Sequence, residues 1–347
     1  MKKRMMAAVL HKIGEQLRIG NVKVPELKPG EVTVRIRAAG ICHSDLNYRD
    51  GISPVGQLPR ILGHEISGQV VDIAEGAEDV EVGDRVCIHY VKSCGDCVYC
   101  GAGRGNLCEN YQMIGKDVDG GFAEFINVPV GNVLQLPDRI PFEQGALIGC
   151  AVSTSFHALK RARVKDGDTV VIYGVGGVGL HAVQLAARVF AAGKVVAVDI
   201  SDRKLKLAKE YGAENEINGT RENVVDKLRE STGGRLADVV LEFVGLRKTI
   251  EEAVHCVAKG GRLALVGIGS EDICLSPYKT MIGKEMELIG VNDHLKSEIT
   301  QLIKLIQTGK VDLSKSITHK YTLKNINKGF EVLEKKIEDP LRVMVTL

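Results

Sequence analysis

Val170-Val171-Ile172-Tyr173-Gly174-Val175-Gly176-Gly177-Val178-Gly179 is the stretch that decides how the middle of this chain folds. Four apolar, mostly β-branched residues halted by glycine read as a short buried strand. The glycines that follow fit G-x-G-x-x-G, and helical periodicity runs from Val178 to about Phe190. Strand, glycine turn and helix in that order give the fingerprint its meaning, because the pattern alone is common. Gly174 permits the turn, Gly176 lets a pyrophosphate approach the backbone, and Gly179 allows the helix to pack close to the strand. Gly177 and Val178 complete the turn, and the helix start offers unsatisfied N–H groups and a positive dipole end to phosphates. Asp199 stands twenty positions beyond Gly179, at the end of a second strand, Lys194–Ile200. There its carboxylate would accept hydrogen bonds from ribose hydroxyls and repel a 2′-phosphate, so NAD is expected over NADP. A competing reading makes Asp199 a mere cap of the next helix, although Ser201 and Asp202 suit that role better. Arg203 and Lys204, also at the dinucleotide site, are the residues that would attract a 2′-phosphate.

Outward from this stretch the same rhythm continues. Asp202–Tyr211 reads as a charged amphipathic helix, Asp238–Phe243 and Arg262–Gly267 as strands, and Lys248–Ala258 as the helix between them. Strands alternating with helices imply a parallel sheet covered on both faces. Ile299–Thr308 reads as helix and the tail as strand. Before about Leu136 the pattern is different: short alternating segments such as Val32–Ala38 and Gly68–Ile73, broken by Gly and Pro, indicate a β-rich region. A chain of 347 residues with two such styles is expected to form two domains.

Four cysteines fall within fifteen positions, Cys94, Cys97, Cys100 and Cys108, spaced C-x2-C-x2-C-x7-C. Four thiolates at such intervals can wrap one Zn²⁺ tetrahedrally, with Zn–S bonds of about 2.3 Å. Disulfides or an iron–sulfur cluster compete for the same residues. The usual bacterial cluster run ends in Cys-Pro, whereas Cys108 is followed by Glu109. Nine cysteines without a disulfide-like framework suit a reducing compartment. Formal net charge is +2, with both signs interspersed, so there is no basic stripe for nucleic acid. No apolar run approaches the ~18–20 residues of a membrane span. The basic start Met1-Lys2-Lys3-Arg4 is followed by only six apolar residues, Met5–Leu10, too few for a secretory segment. A cytoplasmic protein is expected.

The remaining cysteines include Cys42 in Ala39-Gly40-Ile41-Cys42-His43-Ser44-Asp45-Leu46 and Cys150 in Ile148-Gly149-Cys150-Ala151. His64 stands in Gly63-His64-Glu65-Ile66-Ser67-Gly68. The C-H-S-D run, the G-H-E-x-x-G segment, the cysteine tetrad and the glycine fingerprint, in this order, resemble the zinc-dependent alcohol dehydrogenases of the medium-chain dehydrogenase/reductase superfamily. The resemblance covers nearly the whole chain. It implies that Cys42, His64 and Cys150 are the three protein ligands of a catalytic zinc with an open fourth position. It also implies that Cys94, Cys97, Cys100 and Cys108 hold a structural zinc, giving two Zn²⁺ per subunit. Glu65 resembles the acid that approaches the metal during ligand exchange, and Asp45 the carboxylate that orients His64. Ser44 resembles the hydroxyl that contacts the zinc-bound alkoxide and starts proton relay. His43 and Arg342 look like pyrophosphate contacts, and Thr154 and Val178 match positions beside the nicotinamide. One departure stands out: where many relatives carry a relay histidine this chain has Asn47, whose amide cannot act as a general base near neutral pH. Cys87, Cys256 and Cys274 lie in or beside apolar strand-like segments and read as buried.

The expected architecture is α/β: a Rossmann doubly wound parallel sheet domain plus a β-rich catalytic domain that the resemblance makes GroES-like. The catalytic domain spans 1–150, with the structural zinc loop at 93–108, the NAD-binding domain 151–291, and a C-terminal segment, 292–347, returns to the catalytic domain. The expected activity is reversible hydride transfer between a primary or secondary alcohol and NAD in the cleft between domains. A polyol, threonine or formaldehyde dehydrogenase uses the same fold and metal. An inactive zinc-binding structural or regulatory protein is the alternative of another class. The expected partner is a small alcohol, aldehyde or ketone, with no nucleic acid and no membrane. The resemblance also implies a homotetramer or homodimer.

Overall fold

The computed structural model describes residues 3–347; Met1 and Lys2, the head of the basic start, lie outside the described residues. The chain divides into two compact units, residues 154–293 and residues 1–153 with 294–347. The break after 153 falls inside a helical run, slightly later than the expected one at 150.

The 154–293 unit is built on six strands: β1 (Thr169–Tyr173), β2 (Lys194–Asp199), β3 (Asn215–Asn218), β4 (Ala237–Glu242), β5 (Val257–Leu265) and β6 (Glu287–Gly290). Their spatial order is β3-β2-β1-β4-β5-β6, and every neighbouring pair is parallel. This is the doubly wound dinucleotide-binding order, with β1 at the point where the winding reverses. Val171, Val196, Val240 and Leu263 are fully buried, as central strands covered on both faces require. Helices Gly179–Arg188, Asp202–Glu210, Val224–Ser231 and Arg247–Cys256 connect the strands. β3 and the helix after it escape a reading of the sequence because Asn215-Glu216-Ile217-Asn218 has one apolar residue. β5 begins at Val257, earlier than expected, because the chain absorbs Gly260 and Gly261 in a register shift against β4. Cys256 is buried, with its thiol 3.1 Å from the Tyr173 hydroxyl. Cys274 is not: the Ile273-Cys274-Leu275 segment forms a loop rather than a strand, and the residue is exposed. Cys87, in the other unit, is buried as expected.

The other unit is β-rich. Its main sheet runs Val133–Gln135, Arg85–Ile88, Glu65–Ile73, Glu31–Ile41, Arg342–Thr346 and Ile317–Thr322, and Phe125–Pro129 also pairs with Glu31–Ile41. A smaller sheet joins Arg18–Lys23, Arg4–Leu10 and Arg60–Ile61. The apolar start Met5–Leu10 is thus part of a folded strand. Val32, Val34, Ile36, Ile66, Val70 and Val343 alternate into one core, the period-2 signature of strands with one buried face. The C-terminal strand Arg342–Thr346 completes the sheet by pairing with Glu31–Ile41. The tail is not strand alone, since helix Ile326–Glu334 lies between its two strands. No described helix is long and apolar enough to cross a membrane.

Candidate functional site

Strand register assembles the first cluster. Glu31–Ile41 and Glu65–Ile73 are antiparallel with Gly40 opposite Glu65. Cys42, one step past the end of the first strand, therefore meets His64, one step before the start of the second. Val343 pairs with Ile41, which delivers Arg342 to the same place. Cys150 comes from a different element, a π-helical turn at Ile148–Val152 between helices Phe142–Leu147 and Ser153–Arg161. Such turns widen the helix by one residue and recur at functional positions. The Ser153 hydroxyl donates to the Cys150 carbonyl at 3.0 Å and steadies the turn.

Ligand atoms of Cys42, His64, Glu65 and Cys150 all lie within 4.8 Å of one another, and all four residues are buried. Asp45 sits at the third position of helix His43–Asp50. Its Oδ2 accepts from the Cys42 N–H at 2.9 Å, and its Oδ1 accepts from the Gly63 N–H at 3.2 Å and lies 3.5 Å from His64 Nδ1. One carboxylate thus closes the helix start and turns the His64 ring, leaving Nε2 for a ligand. Burial opposes protonation of His64, but Asp45 and Cys42 together outweigh it and the imidazole pKa is raised well above its usual value. Cys150 hydrogen-bonds Cys42, so the Cys42 thiol falls well below its usual pKa while that of Cys150 rises.

Glu65 is pushed up to about 7, chiefly by burial, with the Arg342 charge opposing. Arg342 Nη1 contacts Glu65 Oε1 at 2.9 Å, and both side chains are almost wholly buried. Gly40 is a cradle for this carboxylate: a Cβ there would collide with Glu65 Oε2. Glu65 Oε2 has no hydrogen-bond partner among the described residues. Two thiols, an imidazole and a carboxylate buried together cost free energy unless a cation joins them. Sulfur, nitrogen and oxygen donors in this number suit zinc. The residues fit the metal.

The tetrad forms a second cluster, Cys94, Cys97, Cys100 and Cys108, again with ligand atoms within 4.8 Å. Cys94 Sγ lies 3.4 Å from Cys108 Sγ and 4.0 Å from Cys100 Sγ. Two sulfurs on one tetrahedral zinc stand about 3.8 Å apart, so these positions bracket the metal geometry. They are too far apart for disulfides, and every described cysteine is free. Gly95 and Gly103 take the left-handed backbone, at φ 86° and 71°, that wrapping the loop requires.

In the 154–293 unit the three fingerprint glycines serve three different ends. Gly174 has φ 82°, and a Cβ on it would meet Val244 at 2.6 Å. A Cβ on Gly179 would collide with the Gly174 carbonyl, whereas nothing lies within 4 Å of one on Gly176. Gly176 faces open space where a phosphate could approach. Asp199 Oδ2 accepts from the Val175 N–H at 2.9 Å, tying the end of β2 to the glycine turn, and Oδ1 accepts from Ile200 and Ser201 N–H. Ser201 caps the next helix by accepting from Lys204 N–H at 3.2 Å, and Asp202 pairs with Arg221 and Asn218. Arg203 and Lys204 lie on the first turn of that helix. The Ser155 hydroxyl donates to the Val178 carbonyl at 2.8 Å, drawing Thr154 towards the fingerprint. His43 is exposed, and the Ser44 hydroxyl lies 3.7 Å from Cys42 Sγ.

Three further rings near the first cluster carry no motif. Tyr90 packs edge-on to His64 at 5.1 Å and to His294 at 4.9 Å, and His89 lies 5.1 Å from His294. The Glu65–Arg342 pair and its Gly40 cradle likewise follow from register, which no local pattern encodes.

Residues 28–138 match the family model of the alcohol dehydrogenase GroES-like domain, and residues 177–308 that of the zinc-binding dehydrogenase. An alcohol dehydrogenase of Geobacillus stearothermophilus is 37% identical over 329 residues, 94% of this chain and 95% of that protein. A Bacillus subtilis sorbitol dehydrogenase is 32% identical over 98% of this chain and 97% of that one, and an L-threonine 3-dehydrogenase of Pyrococcus horikoshii 34% over 97% and 96%. Among solved structures, an Escherichia coli short chain alcohol dehydrogenase complexed with NADH superposes with TM-score 0.93 at 27% identity, covering 100% of both chains. A zinc-binding dehydrogenase of Sinorhizobium meliloti bound to NADP gives 0.91 at 28%, also with full coverage of both chains. Similarity sustained along nearly the whole length reflects common descent, and this chain belongs to the zinc-dependent alcohol dehydrogenases of the medium-chain dehydrogenase/reductase superfamily.

Proposed function

We propose that the protein is an NAD-dependent alcohol dehydrogenase that exchanges hydride reversibly between a primary or secondary alcohol and NAD. The observation that carries this reading is the buried Cys42–His64–Cys150 cluster beside a carboxylate, Glu65, that Arg342 holds at 2.9 Å. Three donors suffice to hold zinc while an ion-paired Glu65 leaves the fourth place to the alcohol. Zinc at this position supplies Lewis acidity that lowers the pKa of a hydroxyl or polarises a carbonyl. Asp45 fixes the His64 tautomer, and Ser44 takes the alcohol proton at its hydroxyl. Asn47 cannot pass that proton on as a base, so the relay leaves Ser44 through water. An Asn47→His variant is expected to change the pH dependence of the hydride step while zinc content stays constant; an unchanged pH–rate profile contradicts a relay through this position.

NAD is the proposed cofactor because Asp199 stands where a 2′-phosphate would be repelled, despite Arg203 and Lys204 nearby. Gly174, Gly176, Gly177 and Gly179 receive the pyrophosphate, and Thr154 and Val178 flank the nicotinamide, while the Arg342 guanidinium expected at the pyrophosphate is buried against Glu65. Each subunit holds two zinc ions. Outer strand β6 carries Leu288 on a sheet edge that is unpaired among the described residues, and exposed Tyr278 and Ile282 lie close by in sequence. Such an edge invites pairing with a second copy, and the protein is proposed to be a cytoplasmic homodimer or homotetramer.

A second reading, a polyol or amino-alcohol dehydrogenase, is favoured by Tyr90 beside His64 and His294 behind Tyr90, polar rings where a simple alcohol needs only apolar walls. NADH absorbance with zinc-loaded protein and ethanol, a secondary alcohol, sorbitol and threonine tests both. Turnover of the first two supports the simple-alcohol reading, and turnover of only the last two supports the second. No turnover of any, with two zincs and NAD bound, overturns the enzyme reading.

A further inference from the structure

Strand Glu31–Ile41 is interrupted where Ile36 pairs with Gly68 and Ala38 with Ser67. Arg37 is therefore the extra residue of a β-bulge, the device that re-aims a side chain out of the regular alternation. Its guanidinium faces a cavity of about 610 Å³ lined also by Arg85, Gln69, Gln135 and Phe142, within the range of ligand-sized pockets. Arg37 Nε is buried without a hydrogen-bond partner, and no carboxylate pairs with the group among the described residues.

Arg85 is held ready in the same cavity. Its guanidinium stacks on the Phe142 ring at 3.8 Å, and its Nη2 donates to the Ile140 carbonyl at 2.6 Å. Of the two acids of the lining, Asp84 is engaged by its own neighbours and Asp138 pairs loosely with Arg85. Asp84 Oδ2 accepts from the Glu81 N–H at 2.9 Å and from Gln135 Nε2 at 3.4 Å. Asp138 lies 3.5 Å from Arg85 Nε with its own side chain 99% exposed, a contact that solvent screens and a ligand can displace.

We propose that this cavity is a binding site for a small anion, a carboxylate or phosphate group, gripped by Arg37 and Arg85 with the Gln69 and Gln135 amides at its rim. Planar guanidinium donors suit both oxyanions. The site is separate from the metal clusters and the glycine fingerprint. Its elements nevertheless run into the first cluster: Arg37 precedes Cys42 on one strand, Gln69 follows Glu65 on the next, and the helix that opens with Phe142 leads to Cys150.

Isothermal titration of zinc-loaded protein, with NAD saturating so that the dinucleotide site is filled, tests the proposal with inorganic phosphate and succinate as separate probes. Saturable binding of either one is expected, and the tighter probe identifies the anion class. Arg37→Met is expected to weaken it about tenfold or more, with NAD affinity unchanged, and Arg37→Lys to weaken it by only about threefold. Should Arg37→Met fail to fold, Gln135→Glu, which adds a charge at the exposed rim, is expected to weaken binding equally. No saturable binding of either probe, or binding that neither variant alters, overturns the proposal.

Discussion

Glu65 and Arg342 face each other at 2.9 Å with almost no solvent contact. The free energy of such a pair lies less in mutual attraction than in what either partner suffers when left alone. Arg342→Met is expected to destabilise the protein by about 3–5 kcal/mol in denaturant unfolding. The double variant with Glu65→Gln should recover most of that loss, and equal losses in both would show that the pair is not coupled. Buried His89 presents the opposite case, a neutral imidazole. Its pKa is lowered to about 4, mainly by burial, with the His294 carbonyl opposing. The unfolded chain takes up that proton near pH 6.5 and the folded one only near pH 4, so stability falls as pH drops through that window. A shift of this size amounts to at most about 3 kcal/mol. His89→Gln should remove that share of the acid sensitivity, and parallel stability–pH curves for variant and parent would contradict it.

At the scale of the element, the glycine turn after β1 separates a folding role from a binding role. Gly179→Ala places a methyl group against the Gly174 carbonyl, a backbone clash that nothing flexible can relieve. It is expected to destabilise by several kcal/mol, as overpacking and strain do. Gly176→Ala meets nothing within 4 Å and should fold normally, yet raise KM for NAD about tenfold or more by filling the space a pyrophosphate needs. Unfolding curves and NAD kinetics on both variants check the contrast, and equal effects on stability would refute it. These elements are legible in the sequence because their chemistry is local: strand, turn and helix lie consecutively, and the cysteine tetrad closes within one loop. The bulge at Arg37 is not legible, because it arises from pairing with a segment distant in the chain; nor is the π turn at Ile148–Val152, a one-residue widening of a helix that its apolar sequence does not signal. Asn215–Asn218 escapes for another reason: parallel pairing with β2 supplies the strand that its own polar residues do not suggest. Cys274 shows the reverse error, an apolar-flanked cysteine that lies in an exposed loop.

Across the whole molecule, the doubly wound unit and the GroES-like unit each carry one half of a dehydrogenase's requirements. The first presents the glycine turn and Asp199, and the second presents two groups of metal-binding side chains. One group, the tetrad, is closed by four cysteines. The other offers Cys42, His64 and Cys150, with Glu65 near enough to be a fourth but engaged by Arg342. A closed second centre would serve structure, and an open one would serve reaction. X-ray absorption at the zinc edge discriminates them most directly, applied to a variant in which Cys97→Ser and Cys100→Ser remove the structural ion. The account predicts one remaining zinc bound by two sulfurs, one imidazole and an exchangeable light ligand that an added alcohol-competitive inhibitor replaces. A coordination sphere that no inhibitor alters, with Glu65 as permanent fourth ligand, would contradict it.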